Sequence, residues 1–299
     1  MAGDTATAPT EPVALKGLSH KHETLYFAFR NKKLVVGLSV VIAFFIFAII
    51  GPWLATADPF EFGYPPGVPP SSVNWLGTTA PGQDVFSQFV YGLRASFVVG
   101  AIGATVAAII AMTVGFISGY RGGIVDEILS ICTNIVLVIP TLAVLIIVAA
   151  YLTISGFVAE GILIGATSWP WAARSIRAQT FSLASRDFIG LSRLSGSGTW
   201  RIIAREIAPN MSSYLFLVFI LLFGGSILAA ATLDFLGLGP SNAMSLGLML
   251  NNAQNSAALN LGYWWWFIPP GLAITCIVGG LYVTNVGLDE VFNPKLRET

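Results

Sequence analysis

Few side chains in this 299-residue chain can do more than fill space. Two carboxylates, Glu160 and Asp234, stand near the ends of apolar runs on the outer side. Desolvating an ionisable group at such depth costs at least a few kcal/mol, roughly, so it marks a substrate path unless it sits among wet headgroups. Both readings stand for both residues. Asn251 and Asn252, beside Gln254 and Asn255 in a charge-free outer segment, complete the candidate substrate pathway. Cys132 and Cys276 lie in apolar runs, where cysteine commonly acts as a small core filler. No zinc spacing exists, so no metal site is expected. His20 and His22, the only histidines, fall in a polar N-terminal stretch, which excludes a catalytic histidine at membrane depth. Residues 194–200 are glycine-rich but lack the lysine of a phosphate loop.

The elements that position these residues follow from composition. Hydrophobic residues make up 55% and charged residues 10% of the chain, against about 25% charged in a soluble domain. With a mean hydropathy of +0.76, such a chain belongs in a bilayer. Zero net charge argues against a nucleic-acid partner. Crossing a bilayer takes about 20 apolar residues, and six stretches qualify: 34–55, 96–119, 128–152, 154–173, 212–233 and 264–286. Pro140 is expected to kink the third, and Glu160 and Pro170 weaken the fourth.

The basic residues give the orientation. Lys16, Lys21, Arg30, Lys32, Lys33, Arg121, Arg174, Arg177, Arg186, Arg193, Arg201, Arg205, Lys295 and Arg297 all fall on one side of a six-span chain, and only Arg94 falls outside. A Lys/Arg excess marks the cytoplasmic side, so both termini are expected there. Residues 1–33 form a cytoplasmic arm with an interfacial helix near its end, and 34–299 form the membrane domain. The outer segment 58–94, punctuated by prolines, reads as an ordered excursion without regular structure. Asp84 and Arg94 are expected to pair there. Trp264, Trp265 and Trp266 read as an interfacial aromatic belt, or as a stacking surface for a sugar.

Residues 174–210 are longer than a connection between antiparallel spans requires. Ile189, Arg193, Gly196, Trp200, Ile203 and Ile207 recur at helical spacing, Gly196 and Gly198 interrupt them, and Pro209 closes the segment. Two short helices joined by a glycine turn are expected, presenting a face either to a partner's groove or to anionic lipid.

Here the residues resemble a family. Ala172-Ala173-Arg174, Ser175, Arg177, Arg186-Asp187-Phe188-Ile189, Gly196, Trp200-Arg201-Ile202-Ile203, Arg205 and Pro209-Asn210 resemble the EAA loop of ABC-importer permeases. Gly190-Leu191-Ser192 stand where the loop's name-giving Glu-Ala-Ala would be. Trp75-Leu76-Gly77-Thr78, residues 82–87 and 91–96, Gly119-Tyr120-Arg121-Gly122-Gly123 with Asp126, Leu233 to Gly239, Pro270 to Ile274 and Asn293 to Arg297 are similar to the C-type permease of dipeptide, oligopeptide and nickel importers. In that subfamily Asp usually stands at Thr79 and Arg at Gln83.

The resemblance implies an all-α type I ABC importer permease fold and a place in the cytoplasmic membrane of a prokaryote. It also implies coupling to ATPases through Arg186, Asp187, Gly190, Ser192, Gly196, Trp200, Arg201, Arg205 and Pro209. The implied partners are a second homologous permease, two ATP-binding subunits that use ATP and Mg, and an extracytoplasmic substrate-binding protein. The chain itself would bind no cofactor and catalyse nothing. Peptide is the cargo the family implies. The Thr79 and Gln83 departures and the tryptophan cluster keep an oligosaccharide such as a β-glucoside open. An ion-coupled carrier would want ionisable or broken-helix sites near the midplane in paired repeats, and none is found. An intramembrane enzyme would want a histidine, a cysteine pair or a close carboxylate pair at membrane depth, and none is read in the sequence.

Overall fold

The computed structural model describes residues 27–151, 156–240 and 243–292. The expected arm with Lys16, His20, Lys21 and His22, the tail with Lys295 and Arg297, and Leu152 and Ile154 at the expected limits of two spans lie outside these residues. Among the described residues the structure is helical, with one isolated bridge between Thr78 and Asp84.

Helix α1 (Lys32–Leu54) starts where the Asn31 side chain accepts from the Leu34 N–H at 2.9 Å. Helix α2 (Val85–Arg121) starts eleven residues before the expected span, because the Asp84 carboxylate caps it by accepting from the Ser87 N–H at 2.7 Å. Its 37 residues reach about 55 Å, well beyond a hydrocarbon layer of about 30 Å. Arg94 therefore lies inside a helix, in its third turn. The expected Asp84–Arg94 pair does not form: Asp84 is spent on the cap and on the Asn74 amide, which donates to it at 2.9 Å.

The third expected span is broken. Helices α3 (Gly123–Val138) and α4 (Thr141–Tyr151) meet at Pro140 with a bend of 78°, since proline can neither donate to the preceding turn nor avoid its carbonyl. The fourth is built as α5 (Phe157–Ser168) and α6 (Pro170–Ala184), joined through Trp169, with Pro170 tolerated at the first position of α6. Arg174 and Arg177 thus belong to a helix rather than to a loop. After the segment 186–210 come α9 (Ser212–Phe235), the shorter α10 (Leu246–Asn255) and α11 (Trp264–Phe292). By length and apolarity α1, α2, α9 and α11 can cross a membrane, with a fifth crossing if the bent pair counts as one. The expectation of six stands one or two above this, because α5 has only 12 residues.

Packing centres on α2. Its small residues Gly100, Gly103, Ala104, Ala107, Ala111, Gly115 and Gly119 recur every three or four positions and are buried. A Cβ added at Gly103 would lie 2.8 Å from Ser226 Oγ of α9. At Gly115 it would lie 2.8 Å from Ile176 Cβ, and at Gly119 2.6 Å from the Arg177 carbonyl, both of α6. Gly165 of α5 answers with a virtual Cβ 2.7 Å from the Gly103 carbonyl. The same device joins α1 to α11, where a Cβ at Gly37 would meet the Thr284 N–H at 2.6 Å. Small residues let membrane helices approach to backbone distance, where dispersion contacts are dense. At the start of α1 and the end of α11, Asn31 and Lys33 both donate to Glu290. The two chain ends of the described fold therefore lie together.

The outer excursion is tied down by its own polar residues. Thr78 Oγ1 donates to the Pro65 carbonyl at 2.7 Å and accepts from the Val68 N–H at 2.8 Å. Thr79 and Gln83 are buried and bonded to each other, and Gln88 donates to Gln83 and to the Pro59 carbonyl. Trp265 Nε1 donates to the Thr78 carbonyl at 3.1 Å, fixing the excursion to α11. The belt reading is overturned for Trp265 and Trp266, which are buried, and Trp264 alone of the three is half exposed. Cys132 and Cys276 are free thiols exposed on the surface of the chain, not core fillers.

Replacing Gly103 with Val should destabilise the detergent-solubilised protein by about 1–3 kcal/mol through overpacking, read as a lowered Tm. Gly279→Ala, whose added Cβ meets nothing within 4 Å, should leave Tm unchanged or slightly raised.

Candidate functional site

The segment 186–210 is built from its turn outward. Arg186 N-caps α7 (Asp187–Leu194), and Asp187 in the first turn complements the partial positive charge of that helix end. The helix stops at a Schellman motif: the Ser197 N–H donates to the Ser192 carbonyl at 3.2 Å and the Gly196 N–H to the Arg193 carbonyl at 3.0 Å. Gly196 sits at φ +78°, which side-chain-bearing residues rarely adopt. Helix α8 (Thr199–Ile202) follows and widens into a π-helical turn over Ile203–Ile207 before Pro209. The wide turn hands the Ala208 N–H to the Ile203 carbonyl, and it falls where Pro209 would break an ordinary helical ladder.

This geometry sorts the side chains. Ile189, Ile202, Ile203 and Ile207 are buried in a cluster with Ala172, Ala173 and Ile176 of α6 and Val218 of α9. Leu191, Leu194 and Trp200 are instead 65%, 86% and 64% exposed. Arg186, Asp187, Gly196, Arg201, Arg205 and Pro209 share that exposed surface, while Gly190 and Ser192 are half-buried. The result is an apolar knob, in a segment rich in exposed arginines, on a buried isoleucine base.

Two contacts fix the base to the bundle. Arg193 lies over the Tyr120 ring, 4.8 Å from its centroid, and its Nε donates to the Tyr120 hydroxyl at 3.2 Å. Arg177 of α6 forks onto Asp126 of α3, with Nη2 to Oδ2 at 2.6 Å, and Ser118 and Ser130 also donate to that carboxylate. Sequence reasoning counted Arg177 and Asp126 separately as parts of a motif and missed the pair. Their separation of 51 positions leaves no local spacing to reveal it.

The proposed pathway residues divide. Glu160 and Asp234 are 0% and 2% exposed and lie side by side between α5 and α9, so the headgroup reading fails for both. Ser245 donates to Asp234 Oδ2, while Asp234 Oδ1 and both Glu160 oxygens have no hydrogen-bond partner among the described residues. Neither residue lines a cavity described here. Asn251 caps α9, its amide donating to the Phe235 carbonyl at 2.7 Å and its own oxygen accepting from Asn255. Asn252 is half-buried on α10.

Two cavities flank α2. One of about 370 Å³ lies between α2, α3 and α6, lined by Ser118, Ser130, Thr133, Asn134, Arg174 and Arg177. The other, about 560 Å³, is lined by Asp58, Phe60, Tyr91, Arg94, Phe157 and Met244, among others.

Comparison with known proteins gives a consistent picture. Residues 111–298 match the profile of the family described as binding-protein-dependent transport system inner membrane component. Residues 25–67 match that described as the N-terminal TM domain of oligopeptide transport permease C. The dipeptide transport system permease protein DppC of Alkalihalophilus pseudofirmus is 33% identical over 273 residues, 90% of this chain and 88% of its own length. The oligopeptide transport system permease protein OppC of Mycobacterium bovis is 32% identical over 276 residues, 90% of this chain and 92% of its own. The DppC protein of Bacillus subtilis is 29% identical over 270 residues, covering 90% of this chain and 83% of its own length.

Gly196→Ala should cost about 1 kcal/mol, read as a lower Tm, purely through backbone strain, because a Cβ there meets no atom of the chain. Gly190→Ala, also in open space but at negative φ, should leave Tm within error.

Proposed function

We propose that this chain, which belongs to the family of binding-protein-dependent transport system inner membrane components, is the permease subunit of an ABC importer for di- and oligopeptides. It is a multi-pass membrane protein, and in this reading it crosses the cytoplasmic membrane of a prokaryote six times, with α3–α4 as a broken crossing, α5–α6 as a kinked one and both termini cytoplasmic. A homologous permease completes the pathway, two ATP-binding subunits using ATP and Mg supply energy, and an extracytoplasmic binding protein delivers cargo. The chain hydrolyses nothing itself.

The observation that carries this reading is the exposure of Leu191, Leu194 and Trp200 on a buried isoleucine base, in a segment whose Arg186, Arg193, Arg201 and Arg205 are exposed as well. Exposed apolar side chains beside the most basic stretch of the chain suit a groove in a cytoplasmic partner better than bulk water. ATP-driven closure of the ATPases would move the knob as a rigid body and carry α6 and α9 with it. Peptide is favoured over oligosaccharide for two reasons. The relatives described above bear the names of dipeptide and oligopeptide permeases. The residues that kept a sugar open, Thr79, Gln83, Trp265 and Trp266, are buried inside the chain.

Leu194→Asp with Trp200→Ala should reduce co-purification of the ATP-binding subunits at least tenfold and abolish uptake of a labelled dipeptide, while the permease still reaches the membrane. Undiminished co-purification contradicts the docking assignment. For topology, an impermeant thiol reagent should label Ser72→Cys in intact cells of a cysteine-free background. Ser195→Cys should be labelled only after permeabilisation.

A further inference from the structure

We propose that the outer cavity between Asp58 and Arg94 grips the two charged ends of a short peptide, Arg94 taking the terminal carboxylate and Asp58 the terminal ammonium. This rests on the peptide-importer reading above. Arg94 is the one Lys or Arg of the chain that falls outside the set assigned to the cytoplasmic side. Among the described residues its guanidinium forms neither an ion pair nor a hydrogen bond. Asp58 lines the same cavity from the segment that follows α1, and its carboxylate is committed only through Oδ1, which accepts from the Phe60 N–H at 2.8 Å.

Two opposite charges thus border one cavity without closing on each other. A simple anion would meet Asp58 as well as Arg94, and a neutral sugar would leave both charges without an ionic partner. A zwitterion satisfies both, and an arginine fork matches a carboxylate with two parallel hydrogen bonds. The volume, about 560 Å³, lies within the range of about 300–1,000 Å³ typical of small-ligand sites. Phe60, Tyr91, Val98, Phe157 and Met244 supply the rest of the wall. They are apolar or aromatic surfaces that set no fixed chemistry for the side chains of the cargo.

The test uses the assembled importer in proteoliposomes with binding protein fully loaded, so that transfer rather than capture is measured. The wild type should transfer a tripeptide with free ends about tenfold faster than its C-terminal amide or its N-acetyl form, the loss expected for one charge-assisted contact. Arg94→Gln should transfer the free peptide and the amide at one common, lower rate while still discriminating against the N-acetyl form. Asp58→Asn should show the reverse pattern. Arg94→Lys should restore part of the preference for the free carboxylate, which separates loss of a contact from loss of the fold. Preferences unchanged in both Arg94→Gln and Asp58→Asn, or a wild type indifferent to blocked ends, overturn the assignment. A wild type that transfers no peptide at all instead overturns the peptide-importer reading on which it rests.

Discussion

In a bilayer the lipid tails are as apolar as leucine, so two helices stay together only where their surfaces fit. The interaction on which this fold depends is the backbone-distance contact along the small-residue face of α2. Gly103 and Gly165 bring α5 against it, Gly115 and Gly119 bring α6, and Gly100 and Gly103 bring α9. A glycine within a helix costs about 0.5–1 kcal/mol relative to alanine. Close packing on both sides of the backbone offsets that cost. Because the elements on either side of segment 186–210 are both seated on one helix, displacing the segment moves them against a common reference.

Two clusters of polar residues in the helical bundle bring separate elements together. Asp126 and Arg177 join α3 to α6 beside the turn between α2 and α3, and Ser118 at the end of α2 completes the knot. Glu160 and Asp234 face each other between α5 and α9, and the Ser245 hydroxyl bonds Asp234 to the approach to α10. The second cluster leaves three carboxylate oxygens without partners, an expense that a merely stable bundle would avoid. The structure therefore has a rigid knot beside the knob and a less satisfied one nearer the outer cavity.

The outer excursion shows how a segment without helices is ordered in the same economy. Thr78, Asn74, Gln83 and Gln88 satisfy backbone and side-chain groups that would otherwise be stranded, and Trp265 reaches across from α11 to the Thr78 carbonyl. Its N-terminal flank carries Asp58 and its C-terminal flank runs into α2 with Arg94. The excursion thus sets the separation of the two charges that border the cavity.

The sequence by itself determined the solvent and the exposed chemistry. Hydropathy is a property of each residue summed locally, so the membrane assignment, the crowding of arginines into 174–210 and the glycine turn at 196 were legible without a fold. Gly196 announces itself because only the local backbone decides its φ. Tertiary structure alone decided which residues meet. Asp84 was read with Arg94 because they are near in sequence, yet it caps α2 and leaves Arg94 without an ion pair among the described residues. Thr79, Gln83 and two of the three tryptophans, which kept a sugar cargo open, are interior. Arg177 found Asp126 across 51 positions. Glu160 and Asp234, read as separate span-end charges in a chain with no close carboxylate pair, became buried neighbours. The reason is that burial and pairing depend on which faces α2 brings together, and helical spacing within a single element carries no record of its neighbour.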